Sequence, residues 1–241
     1  MTYEKPATLL CVVALFGPLR AQDSVRITPQ PIQLEDVVDV LEMNGISIHR
    51  FDLRPLLKTH YNVSFYVDEY RHAEKQGRVH SFMFGPNIMS VEVYPEEQWE
   101  AVRQEHHLAP NESEFDYIKS VTLTLQVKDD SLATISVGSP GVGRMSKSSL
   151  KLYPVEGYTQ AINYMYDSRP FRLESVTDGD TVEIPLVFFG SWWYDKRSNF
   201  IRFCGESEID PQLQSQIVKD VPHSYVIGMR LEKMPKKTST E

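Results

Sequence analysis

The densest run of one side-chain type in the 241-residue chain is Phe188-Phe189-Gly190-Ser191-Trp192-Trp193-Tyr194. Aromatic faces on a β scaffold can stack on sugar rings through CH–π contact and apolar burial. Neighbouring residues on a strand point to opposite faces, so core packing claims at least half of the run. Trp192, Trp193 and Tyr194 are the candidate ligand-binding residues, with Tyr164 and Tyr166 as further members of the same surface.

Acidic residues gather at Glu206, Glu208 and Asp210, and at Asp178 and Asp180. Alternating hard oxygen ligands can hold Ca²⁺, but the helix-loop-helix calcium pattern is absent and Asp178-Gly179 already has a turn role. Any two carboxylates brought close together would suit glycoside hydrolysis, and sequence spacing across a β fold does not identify such a pair. The histidines at 49, 60, 72, 80, 106, 107 and 223 show no His-Glu-x-x-His or comparable zinc spacing. Adjacent His106 and His107 are expected to point apart on a helix, in solvent.

Gly138-Ser-Pro-Gly-Val-Gly143-Arg144 imitates a phosphate-binding loop after a strand. That loop needs Lys and then Ser or Thr, for the terminal phosphates and for magnesium. Arg144 and Met145 stand there instead, and Lys147–Tyr153 alternates as a strand, so a flexible turn is expected. There is no Gly-x-Ser-x-Gly elbow. Cys204, among the apolar neighbours of Asn199–Gly205, is expected to be a small buried hydrophobe. No cofactor is expected.

These residues need a frame, and period-two segments supply it. In Ser120–Lys128, Val121, Leu123, Leu125 and Val127 face one way and Thr122, Thr124 and Gln126 the other. Leu132, Ala133, Ile135 and Val137 continue across Asp129-Asp130 as the hairpin partner. A second hairpin is expected from Phe171–Val176 to Val182–Phe189 around Asp178-Gly179. Further strands are predicted at 63–67, 88–94, 199–204 and 225–231, the last with Tyr225, Ile227, Met229 and Leu231 on one face.

Helices are fewer. Leu34, Val37, Val38 and Leu41 fall at helical spacing before an Asn44-Gly45 cap. Others are predicted over 96–106, over 158–165, and after Asp210-Pro211, with Asp as N-cap and Pro at the first position. The connections are too short for repeated βαβ crossovers. The expected fold class is therefore mainly β, an antiparallel sandwich-like fold with three or four short helices, the alternative being α+β.

Composition excludes other classes. The chain is 41% hydrophobic, 24% charged and 11% aromatic, which is ordinary globular usage. Thirty-three acids against 25 bases give a net charge of −8, which argues against nucleic acid as a partner. Lys5, the apolar Ala7–Leu15, Pro18 and small Ala21 follow the plan of a secretory signal peptide over 1–21. A spanning helix needs about 20 apolar residues, roughly twice this run, so no membrane span is expected. Leu10 before Cys11 does not fit a lipoprotein signal. The expected mature product is 22–241, one β-rich domain of net charge −9 with Cys204 its only cysteine; the polar loop at 111–114 is a possible boundary.

The stretch Ile184–Pro211, with Pro222–Met229, resembles a family of secreted, functionally uncharacterised proteins from gut bacteria of the Bacteroides type. The resemblance implies an exported, periplasmic or cell-surface protein, with no catalytic residues to carry over. In such bacteria Asp-[Ser/Thr]-aliphatic can mark O-glycosylation, and the pattern stands here at Asp23, Asp130 and Asp180, a mild excess over the roughly one match that average composition gives. The resulting expectation is a non-enzymatic binding or interaction module of the cell envelope, with a glycan or envelope protein as its partner. The alternatives are a carbohydrate- or peptide-active hydrolase with paired carboxylates, and a structural envelope component.

Overall fold

A computed structural model describes residues 30–56, 58–128, 131–158, 165–173 and 179–235. The signal-peptide pattern, the Asp129-Asp130 turn, Tyr164, Asp178 and most of the helix expected over 158–165 lie outside them. The strands are β1 (Ile46–Asp52), β2 (Tyr61–Arg71), β3 (Glu74–Pro86), β4 (Ile88–Ser90), β5 (Glu114–Asp116), β6 (Ser120–Val127), β7 (Leu132–Ser139), β8 (Gly143–Lys151), β9 (Tyr166–Pro170), β10 (Thr181–Ser191), β11 (Trp193–Asp195), β12 (Phe200–Arg202) and β13 (His223–Lys233). The α-helices are α1 (Leu34–Met43), α2 (Trp99–Glu105) and α3 (Gln216–Asp220).

Two antiparallel sheets face each other, one ordered β1-β6-β7-β8 and the other β3-β2-β13-β10-β9. Val121, Leu123 and Leu125 of β6, with Ala133, Ile135 and Val137 of β7, pack against Val63, Phe65 and Val67 of β2 and Tyr225, Ile227, Met229 and Leu231 of β13. The period-two pattern thus does what it predicts: one face of each strand fills the space between the sheets. Histidines close both open sides. His49 of β1 bonds Ser168 of β9 at 2.8 Å, and His80 of β3 meets the Ser149 carbonyl of β8 at 3.2 Å.

β10 and β13 are buried on both faces, because a second apolar cluster covers the outside of the five-stranded sheet. Tyr66, Phe188 and Val226 meet Phe203, Ile209, Ile217 and Val221 there. The segment 192–221 is therefore a lid on that sheet. A third cluster, Val91, Val102 and Phe115, seats α2.

Several local expectations need correcting. β10 pairs with β13 and β9, and the partner expected over 171–176 lies within the described residues only as far as Leu173. Phe171 still donates to the Leu186 carbonyl at 3.0 Å, but Arg172 then donates to Ile209 at 2.9 Å, so the chain leaves β10 for the lid. The strand expected at 88–94 ends at Ser90, whose hydroxyl accepts from the Glu92 amide and starts a 3₁₀ turn over Val91–Val93. Asp210-Pro211 opens a turn rather than a helix: the Asp210 carboxylate accepts from the Gln212 amide, and α3 begins only at Gln216. Cys204 is exposed, not buried, because β12 stops at Arg202 and Phe203 takes the inward position. His106 stacks on Phe115 with ring centroids 3.8 Å apart instead of standing in solvent.

Within Gly138–Gly143, residues 140–142 make the turn between β7 and β8, and Gly141 and Gly143 are both at positive φ. α1 forms where its periodicity places it, yet none of its residues is buried.

Candidate functional site

The aromatic run divides three ways. Phe189 enters the core between the sheets and Phe188 the cluster beneath the lid, as alternation on β10 requires. Trp192 and Trp193 lie half-buried at the edge of that second cluster, and both indoles contact Phe203. Trp192 is inclined 25° to the Phe203 ring and Trp193 58°, so the two indoles are not coplanar. Tyr194 faces the other way, 5.8 Å from the ring of Tyr158. Tyr166 is separate from this surface, being buried among core residues.

β11 and β12 form a two-stranded ribbon with Trp193 opposite Arg202 and Asp195 opposite Phe200. Its turn is held by Asp195. One carboxylate oxygen accepts from the Arg197 amide at 2.9 Å, and the other accepts from the Ser198 hydroxyl at 3.0 Å and pairs with Arg202. These bonds hold the Asp195 carboxyl below its usual range, the Arg197 amide contributing most. The Tyr194 hydroxyl donates to Asn199. Phe200, beside this turn, is 65% exposed. The ribbon therefore presents aromatic surface on a backbone that is already ordered.

A second constellation comes from strands far apart in sequence. The side chain of His223 on β13 is 4% exposed; its Nδ1 lies 2.7 Å from the Tyr166 hydroxyl and its Nε2 3.0 Å from Glu69 Oε1. The Tyr153 amide donates to the same hydroxyl at 3.1 Å. The Tyr166 proton therefore points to Nδ1, and Nε2–H donates to Glu69. Tyr153 and Tyr225 pack against the imidazole at 4.5 and 4.9 Å, and Arg71 lies 4.3 Å over the Tyr153 ring.

Burial pushes the His223 imidazole below its ordinary range, outweighing the hydrogen bond and charge of Glu69. His49 moves the same way, again through burial. A base with a depressed folded pKa leaves the unfolded chain binding more protons, so stability falls as pH drops below about 6.5. Urea midpoints should decline between pH 7.5 and 5.5, and His223→Gln should flatten that slope. An unchanged slope in the variant would remove His223 as its source.

Carboxylates do come together, but not as an acid–base pair. Arg78 bridges Asp68, at 2.8 Å, and Glu183, at 2.9 Å. The Arg78 hydrogen bond lowers Glu183; at Asp68 burial pushes upward and the bonds from Arg78 and Lys75 prevail. Both are held ionised, opposite to what a proton donor at a glycosidic bond needs. The acidic group after Cys204 also has structural work: Glu206 accepts from the amides of Gln216 and Ile217 at the start of α3. Among the described residues no cluster of three or more His, Cys, Asp or Glu is placed to hold a metal ion, and no helix is long and apolar enough to cross a membrane.

The aromatic members of the ribbon were legible as a dense run. Phe200 and the caged His223 were not, because exposure and long-range pairing leave no local spacing. No curated protein and no solved structure matches the chain. A family described as Domain of unknown function (DUF5041) matches residues 18–233, nearly the whole sequence, and the chain belongs to that family.

Proposed function

We propose that the chain is an exported, non-catalytic binding module of the cell envelope whose contact surface is the aromatic ribbon, with Trp192, Trp193 and Tyr194 as contact residues. The observation that carries this reading is the exposure of Phe200 on the ribbon that also bears half-buried Trp193, at a turn pre-ordered by Asp195. Core packing already has Phe188, Phe189 and Phe203, so it does not require Phe200. The surface suits apolar faces of sugar rings or an apolar protein segment. The residue pattern of 1–21 supports export, for which N-terminal sequencing should find Gln22 as the first residue.

Glycan arrays and pull-downs on intact envelope material supply the test. Phe200→Ser should weaken the captured interaction at least about tenfold, the effect of losing one contact aromatic, while leaving thermal stability nearly unchanged. Trp193→Ala and Tyr194→Ala should weaken the same interaction. Every detected interaction surviving all three substitutions would overturn the assignment.

A further inference from the structure

Sequence places an apolar stripe on α1, and the structure leaves it uncovered. Leu34 is 74% exposed and Val38 43%, and Val37 beside them is also exposed. The helix is ten residues long, short of the roughly 12–15 at which an isolated helix becomes marginal in water. Its polar residues Glu35, Asp36, Asp39 and Glu42 are all acidic. The occupant must therefore offer an apolar surface rimmed by positive charge.

Among the described residues, the outer face of the four-stranded sheet offers such basic charge, around a threonine-rich centre with exposed Ile48 and Leu132. The lid covers the outside of the five-stranded sheet, whereas this face exposes Ile48, Leu132, Arg50, Arg144 and Lys151. The cross-strand register sets Arg50 beside Thr122, Thr122 beside Gly138, and Gly138 beside Arg144, with Ile48 beside Thr124 one step away. A hollow of about 500 Å³ lined by Arg50, Asp52, Arg54, Lys119 and Ser120 opens at its end. In a chain of net charge −8, this face is locally basic.

α1 meets its own sheet at β1, where Leu41 is half-buried, and leaves the rest of its apolar stripe exposed. The Asn44 and Gly45 amides donate to the Leu41 and Glu42 carbonyls at 3.0 and 2.8 Å, and the Gly45 carbonyl accepts from Val127 at 2.8 Å. Gly45 is at φ +69°, and a side chain there would sit 3.1 Å from Val127 Cβ. These bonds tether the helix to β1 and β6 while Leu34, Val37 and Val38 stay exposed on their own chain, which leaves a face of another molecule to cover them. We infer that α1 docks on the outer face of the four-stranded sheet of a second copy. Reciprocal docking closes a two-fold dimer with two equivalent acidic-helix-on-basic-sheet contacts.

The test uses the full chain in sedimentation velocity, with two charge-reversed variants at exposed positions. Wild type should sediment as a dimer at low salt and dissociate as salt rises. Glu35→Lys/Glu42→Lys puts a basic helix against the basic sheet, and Arg50→Glu/Arg144→Glu an acidic helix against an acidic sheet. Each alone should weaken self-association about a hundredfold, as like-charge apposition does. An equimolar mixture makes both contacts complementary again and should restore the dimer. Monomeric wild type at low salt, a dimer indifferent to either variant, or a mixture that stays monomeric would each overturn the inference. Circular dichroism of the variants confirms that the fold is kept.

Discussion

Gly228→Ala is expected to destabilise the protein by about 3 kcal/mol, the upper end of what one added methyl costs in a filled interior. Gly228 lies on β13, the middle strand of its sheet, opposite Tyr66 on β2. A Cβ there would fall 2.2 Å from Tyr66 Cζ and 2.3 Å from its hydroxyl oxygen. The ring has no free direction to yield in, because Tyr66 is 5% exposed and the Arg78 guanidinium lies 4.2 Å from its centroid. Displacing it removes the cation–π contact and opens a gap beside Phe188 and Val226. For a chain of this size the melting temperature should fall by roughly 6–12 °C. A Tyr66→Ala background isolates the cause, since the penalty for Gly228→Ala should largely disappear there. Equal penalties in both backgrounds would show that the ring is not what alanine meets.

Arg78→Met should cost about 3 kcal/mol, because it leaves a buried carboxylate short of its main partner. Asp68 is only 2% exposed and is held by Arg78 and by Lys75 at 2.6 Å. The Arg78 side chain, 28% exposed, also spans to Glu183 on β10, so one guanidinium ties three elements of the sheet. Partial exposure of Arg78 and Glu183 keeps the figure at the low end for a buried pair. Arg78→Met/Asp68→Leu should recover most of the loss, since the remaining carboxylate, Glu183, is partly exposed and no buried one is left without a partner. The pH dependence has a defined sign. Asp68 and Glu183 have depressed folded pKa values, so their contribution is present above the ordinary carboxylate range near 4 and disappears as pH falls through the folded values. Acid titration of Arg78→Met should show a shallower loss. An acid limb as steep as that of wild type would mean other carboxylates dominate it.

Strands whose alternation is local were readable in advance. β6, β7 and β13 carry apolar residues at every second position, and that face is buried in each as the pattern demands, the lid also covering the other face of β13. β3 was not readable: its first half, Glu74–Arg78, carries no apolar residue, and only Phe82 and Phe84 near its end turn into the core. β1 hid for a related reason, since His49 occupies an inward position that a purely apolar pattern would assign to an aliphatic residue. The helix expected after Asp210-Pro211 starts late, at Gln216, because the Asp side chain satisfies a turn amide before a helix can use it. The candidate site was half legible. An aromatic run announces itself, but which members the core takes depends on the lid, and Glu69, Tyr166 and His223 meet only through strand pairing.

The irregular pairing of β3 with β2 carries a final consequence. β3 is an outer strand of its sheet, and its register with β2 shifts at three places along Asn62–Arg71. Pro86 ends it, and Glu74, Lys75 and Arg78 bring charge to its first half. A strand so interrupted offers no continuous row of amides and carbonyls for a further chain to copy, which is how β proteins resist fibre growth. Association of this molecule is thereby directed away from that edge, toward side-chain surfaces where charge and shape choose the partner.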